Sequence, residues 1–183
     1  MKAVPLRLAL AAIAALFTTL ASAEADGEQI GCVEANVPVA DVLAVGSDEG
    51  ARERVNRQGQ ACARLHGWTT DQTRAAYEYT VGKAIYEDGL RALVRRGIRR
   101  AAVIVDQVGA DLGETRLAAM AAGQSINMTE EDIGRIVMRR LRALGFRGAR
   151  DGGPEWEQIG TEVGRAMAGK YFRDRAIAAF RRP

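Results

Sequence analysis

Ile98, Ala101, Val105, Val108 and Leu112 follow one another at spacings of three, four, three and four. That spacing sets all five on one face of an α-helix, which then needs other helices to cover it. The run 101–105 also suits a buried strand, but no partner strand is evident, so the helix is the reading. Ile133, Ile136, Val137, Leu141 and Leu144 form a second stripe. Trp156, Ile159, Val163, Met167, Tyr171, Ile177 and Phe180 form a third. Tyr77, Val81, Ala84 and Ile85 mark another helix, which Leu90, Leu93 and Val94 continue.

Start and stop signals agree with these stripes. Ser47 or Asp48 caps a first helix that ends at Gly67, with a thin apolar face of Val55, Cys62 and Leu65. Thr69 with Gln72, and Thr129 with Asp132, have capping-box spacing. Gly97 and Gly145 fall where helices stop or kink, and Pro154 suits a first helical position. A short helix spans about 114 to 122. The expected fold is all-α: a compact bundle of five to six helices over residues 47–183. Residues 24–46 are expected to be an irregular acidic arm, with extended pieces at Cys32-Val33 and Val42-Leu43.

The first 23 residues read as an export leader. Lys2 and Arg7 precede an apolar run from Leu8 to Leu20, and Ala21-Ser22-Ala23 offers small residues at a cleavage site. The run of about 13 residues is short for a bilayer span, which needs roughly 20. No later segment is long and apolar enough to span. The mature protein is therefore expected in the periplasm or outside the cell, where Cys32 and Cys62 would pair as a disulfide.

Charge is unevenly placed. Residues 24–50 hold seven acids and no base, while the whole chain has 26 bases against 23 acids. Removing Lys2 and Arg7 leaves 24 against 23, so residues 51–183 carry 24 − 16 = +8. The acidic stretch either screens this basic body or stands solvated. Arg91, Arg95 and Arg99 form one row, flanked by Arg96 and Arg100; Arg135, Arg139 and Arg142 form another beside Arg140. Like charges at this spacing repel unless acids face them. The rows are either ion-paired faces or contacts for an anionic partner, a protein or a cell-envelope component. Export argues against nucleic acid, although the 115–144 segment loosely resembles a helix-turn-helix.

Two further features suggest contacts. Tyr79 and Tyr86 lie off the apolar face and read as an aromatic patch. Gly160, Gly164 and Ala168 make a G-x-x-x-G-x-x-x-A ridge, and each glycine inside a helix costs about 1 kcal/mol against alanine. Close packing explains such a ridge: within the monomer on Ala118, Ala119 and Ala122, or across a homodimer through the last helix. Catalytic signals are weak. His66 is the lone histidine and fits a helix C-terminus, so no metal site and no cofactor are expected. Glu130-Glu131-Asp132 and Glu155 with Glu157 sit in opening helical turns, where acids suit the dipole. The functional expectation is an exported protein that binds another macromolecule in an inhibitor, immunity-type, adaptor or chaperone-like role. The alternatives are a cell-envelope hydrolase using Glu155, Glu131 or Glu162, and a carrier of a small apolar ligand.

Overall fold

The computed structural model describes residues 29–122, 124, 126–146 and 154–182. They form eight helices and no strand: α1 (Cys32–Ala35), α2 (Val39–Ala44), α3 (Glu49–His66), α4 (Thr70–Arg95), α5 (Ala101–Leu112), α6 (Glu114–Ala121), α7 (Glu130–Ala143) and α8 (Pro154–Phe180). The fold is all-α, and 101–105 is helical, opening α5. The expected leader (residues 1–23) and residues 147–153 lie outside the described residues. The described part of the acidic arm is not irregular: both pieces read as extended are helical, Cys32-Val33 in α1 and Val42-Leu43 in α2. Neither helix has a side-chain cap. Val33, Val37 and Val42 are buried, so tertiary contacts select the helical form over β-branched preference.

The caps are where the residue types require them. The Asp48 carboxylate accepts from Gly50 N at 2.8 Å and opens α3. Thr69 and Gln72 close a reciprocal capping box at α4, as Thr129 and Asp132 do at α7. Three helices end alike: α3 closes at Gly67 (φ 67°), with Trp68 N donating to Ala63 O at 3.0 Å, and α4 and α7 repeat the pattern. Gly97 (φ 85°) and Gly145 (φ 82°) take the left-handed conformation. The next residue donates back five: Ile98 N to Leu93 O and Phe146 N to Leu141 O, each at 3.0 Å. Only glycine enters this conformation cheaply, and the apolar residue after it tucks against the last turn.

α4 and α8 are the longest helices, and they run antiparallel in close contact. Gln72 reaches Phe180 at one end, and Arg165 binds Asp88 at 2.8 Å nearer the other. On this spine sit two cores. Around the start of α4 and the end of α8, helices α1–α3 enclose Ile30, Val33, Val42, Val55, Cys62, Ala76 and Phe180. Around the opposite end, α5–α7 enclose Leu93, Ile104, Val108, Leu112, Val137, Leu141, Ile159 and Val163. The Cys32–Cys62 disulfide ties α1 to α3, with a Cα–Cα distance of 6.0 Å.

Glycine and alanine make the close approach in between. A methyl group on Gly169 would lie 2.4 Å from Tyr86 N and 2.7 Å from Gly82 O. One on Gly82 would lie 2.7 Å from Arg173 N, and one on Gly89 2.9 Å from the Ala166 methyl. The backbones here nearly touch. The expected ridge is elsewhere: a methyl on Gly160 or Gly164 would meet nothing within 4 Å, and Ala168 is half-buried. The helix turns about 100° per residue, so Gly169 faces α4 while Gly160 and Gly164 lie off that seam. Two other apolar assignments also shift. Leu65 is 74% exposed and Val94 is 52% exposed, so neither extends its helix's buried stripe.

Candidate functional site

The two arginine rows have different surroundings. On α7, Arg139 Nη2 binds Asp111 at 3.1 Å. Arg140 makes a two-pronged contact with the same carboxylate, its Nε at 2.7 Å. The Arg140 guanidinium, helped by Arg139, holds the Asp111 carboxyl down at about 2 against burial. Arg135 binds Asp132, which also accepts from Thr129 N and Oγ1. The Thr129 hydrogen bonds, then Arg135, hold Asp132 at about 2. Arg142 is exposed at the end of α7. Arg135, Arg139 and Arg140 thus meet carboxylates and staple α7 to itself and to α5.

The first row divides. Arg91 lies within 4 Å of both Glu87 (3.9 Å) and Asp88 (3.7 Å) on its own helix. Arg95, Arg96, Arg99 and Arg100 meet no carboxylate among the described residues. Sequence explains why. Between Asp88 and Asp106 there are five arginines and no acid. The Gly97 turn then folds four of them onto one end of the molecule. Ile98, 4% exposed, pins the turn into the core by its side chain and by its bond to Leu93 O. Arg95, Arg99 and Arg100 are exposed and Arg96 is half-buried. Exposed Val94 and Val103 (40%) flank the turn on either side. A cavity of about 270 Å³ separates this turn from the matching Gly145 turn, lined by Arg99, Arg100, Ile104, Leu144 and Phe146. Arg96 and Arg100 belong to this tip as fully as Arg95 and Arg99. The acid-free stretch between Asp88 and Asp106 was the signal that marks them.

The tyrosines do not stand free. Tyr79 is half-buried against the N-terminal core, and burial pushes its hydroxyl upward. Tyr86 is half-buried, with the Arg173 guanidinium 4.7 Å from its ring centroid. Tyr86 lines a groove of about 990 Å³ whose walls come from α4, α5, α6 and α8. Its lining includes Asp106, Glu114 and Asp174 among Lys170, Arg173 and Arg175, with Val105, Leu117 and Met167. Lys170 and Arg173 hold the Asp174 carboxyl below the usual range although burial opposes them.

The carboxylates raised as hydrolytic candidates are Glu131, Glu155 and Glu162. Glu131 and Glu155 are exposed in opening turns of α7 and α8. Glu162 is 3.9 Å from Arg165, and none of the three lines the groove. His66 is exposed and stacks on Trp68, ring centroids 5.4 Å apart. Among the described residues, no cluster of three or more His, Cys, Asp or Glu could hold a metal, and no helix is long and apolar enough to cross a membrane. Comparison with protein-family models, with curated proteins and with solved structures finds no match.

Proposed function

We propose that this chain is an exported, disulfide-closed helical protein that acts by binding an anionic macromolecule of the cell envelope. One observation carries the reading: four arginines that meet no carboxylate among the described residues, held together on a fixed turn. Unpaired like charges cost stability, so a protein keeps them together when something outside neutralises them. The Cys32–Cys62 bridge supports an oxidising compartment. The hydrolase and apolar-carrier readings draw less support, because Lys170 pairs with both Asp106 and Asp174 in the groove, and the lining mixes charged with apolar side chains.

Capture from a cell-envelope extract tests the reading. Wild type should retain a partner at low salt and release it at high salt, where the screening length shrinks from about 10 Å at 0.1 M to 3 Å at 1 M. Arg95→Glu/Arg99→Glu should retain none. If that variant captured the same partner equally well, the tip would not be the binding surface.

A further inference from the structure

The tip's shape and composition point to a partner class, an inference that rests on the binding reading above. We infer that the α4–α5 turn docks the protein onto a bilayer surface rich in anionic phospholipid. The surface is a helix end, the Gly97 turn and the first turn of α5, with Arg99 and Arg100 at the rim of the cavity of about 270 Å³. Its four arginines, unpaired among the described residues, lie on both sides of that turn, which suits a diffuse sheet of negative headgroups better than one carboxylate. Its exposed apolar residues are Val94 and Val103, one on each side of the arginines. Described residues 94–103 include no aromatic side chain. A protein hot spot is usually built around such an anchor, seated in a pocket. Arginine is well suited to an interface, since its stem lies along apolar surface while its head stays wet. Valines at that depth add shallow apolar contact below the headgroups.

Each basic residue near an anionic surface contributes about fivefold in binding, equal to about 1 kcal/mol. Four therefore give several hundredfold in partitioning, lost as salt rises. The Gly97 turn matters because it is fixed by the Ile98 anchor, so little ordering is needed on docking.

The test is sedimentation of the disulfide-closed protein with vesicles of phosphatidylcholine, or of equal parts phosphatidylcholine and phosphatidylglycerol. Wild type should bind the anionic vesicles and not the neutral ones. Arg95→Gln/Arg99→Gln/Arg100→Gln should lose binding about a hundredfold. Its thermal unfolding should match wild type, since these side chains form no ion pair among the described residues. Val94→Ser/Val103→Ser should weaken binding severalfold with its salt dependence intact. Arg135→Gln/Arg139→Gln removes the same kind of charge elsewhere and should bind like wild type. Equal loss in that control would refute the tip as the docking surface. A soluble polyglutamate arm separates the two levels of the argument. Binding to polyglutamate but not to anionic vesicles would overturn the bilayer while leaving an acidic protein as partner. Binding to neither would overturn both.

Discussion

Gly169→Ala adds one methyl group where the α4 backbone already stands. The new carbon would lie 2.4 Å from Tyr86 N, 2.7 Å from Gly82 O and 2.9 Å from Tyr86 Cα. Carbon needs roughly 3.5 Å for an unstrained contact, so the shortfall is about 1 Å. All three atoms are main chain in the middle of a 26-residue helix and cannot swing aside as a side-chain end would. The helices must separate along the crossing instead. Overpacking of this kind costs about 1–3 kcal/mol, and a rigid backbone partner places it at the upper end. Alanine returns about 1 kcal/mol of helix propensity. The net loss is about 2 kcal/mol, which for a domain of this size lowers Tm by about 4–8 °C. Gly160→Ala and Gly164→Ala supply the contrast, because nothing lies within 4 Å of either added methyl. They keep the propensity gain of up to about 1 kcal/mol and should raise Tm by about 2–4 °C. Thermal unfolding followed by far-ultraviolet circular dichroism, with the disulfide intact, reads all three. A Gly169→Ala protein as stable as wild type would refute the close crossing. So would a fall in Tm for Gly160→Ala and Gly164→Ala.

The disulfide and the α5–α7 ion pair give two more outcomes. Reducing Cys32–Cys62 opens a loop with a sequence separation of 30. Urea unfolding with and without reductant should differ by about 3–4 kcal/mol in the chain-entropy treatment, and coincident curves would contradict a bridging role. Asp111 is held at about 2, below its ordinary 3.8, so the folded state resists its protonation. Its contribution is present above about pH 4 and is lost as pH falls from there toward 2. Asp111→Asn should flatten the acid limb of the pH–stability curve over that window; an unchanged limb would mean the arginines do not hold it.

Local signals were legible because their physics is local. Asp48, Thr69 and Thr129 cap helices with atoms two or three residues away, and Gly67, Gly97 and Gly145 need only their own φ. The helical state of 32–44 was not legible, since it depends on Val33, Val37 and Val42 finding α3 and α4. As a seam within the monomer, the Gly160/Gly164 ridge misled for a related reason. Spacing of four identifies a stripe but not its direction, and the true seam repeats at seven: Ala75, Gly82 and Gly89 on α4, with Gly169 and Ala176 on α8. Seven residues is nearly two turns, so these positions keep one face toward a straight partner. That repeat was visible in the sequence and is the better predictor of backbone approach.

The arginine rows show where such reading ends. Both have three- or four-residue spacing and a like-charge penalty, and composition cannot rank them. What separates them is one carboxylate twenty-eight residues away: Asp111 on α5 meets Arg139 and Arg140 on α7. An ion pair across two packed helices depends on their rotation, which the buried stripes Val105–Val108–Leu112 and Val137–Leu141 set. Core packing thus decides which charges are neutralised inside the protein. By the same packing, the Gly97 turn carries Arg95, Arg96, Arg99 and Arg100 to an end where no described acid reaches them. The electrostatic character of the tip is therefore a consequence of the hydrophobic core. A core change that rotated α5 would redistribute charge at that end without touching an arginine.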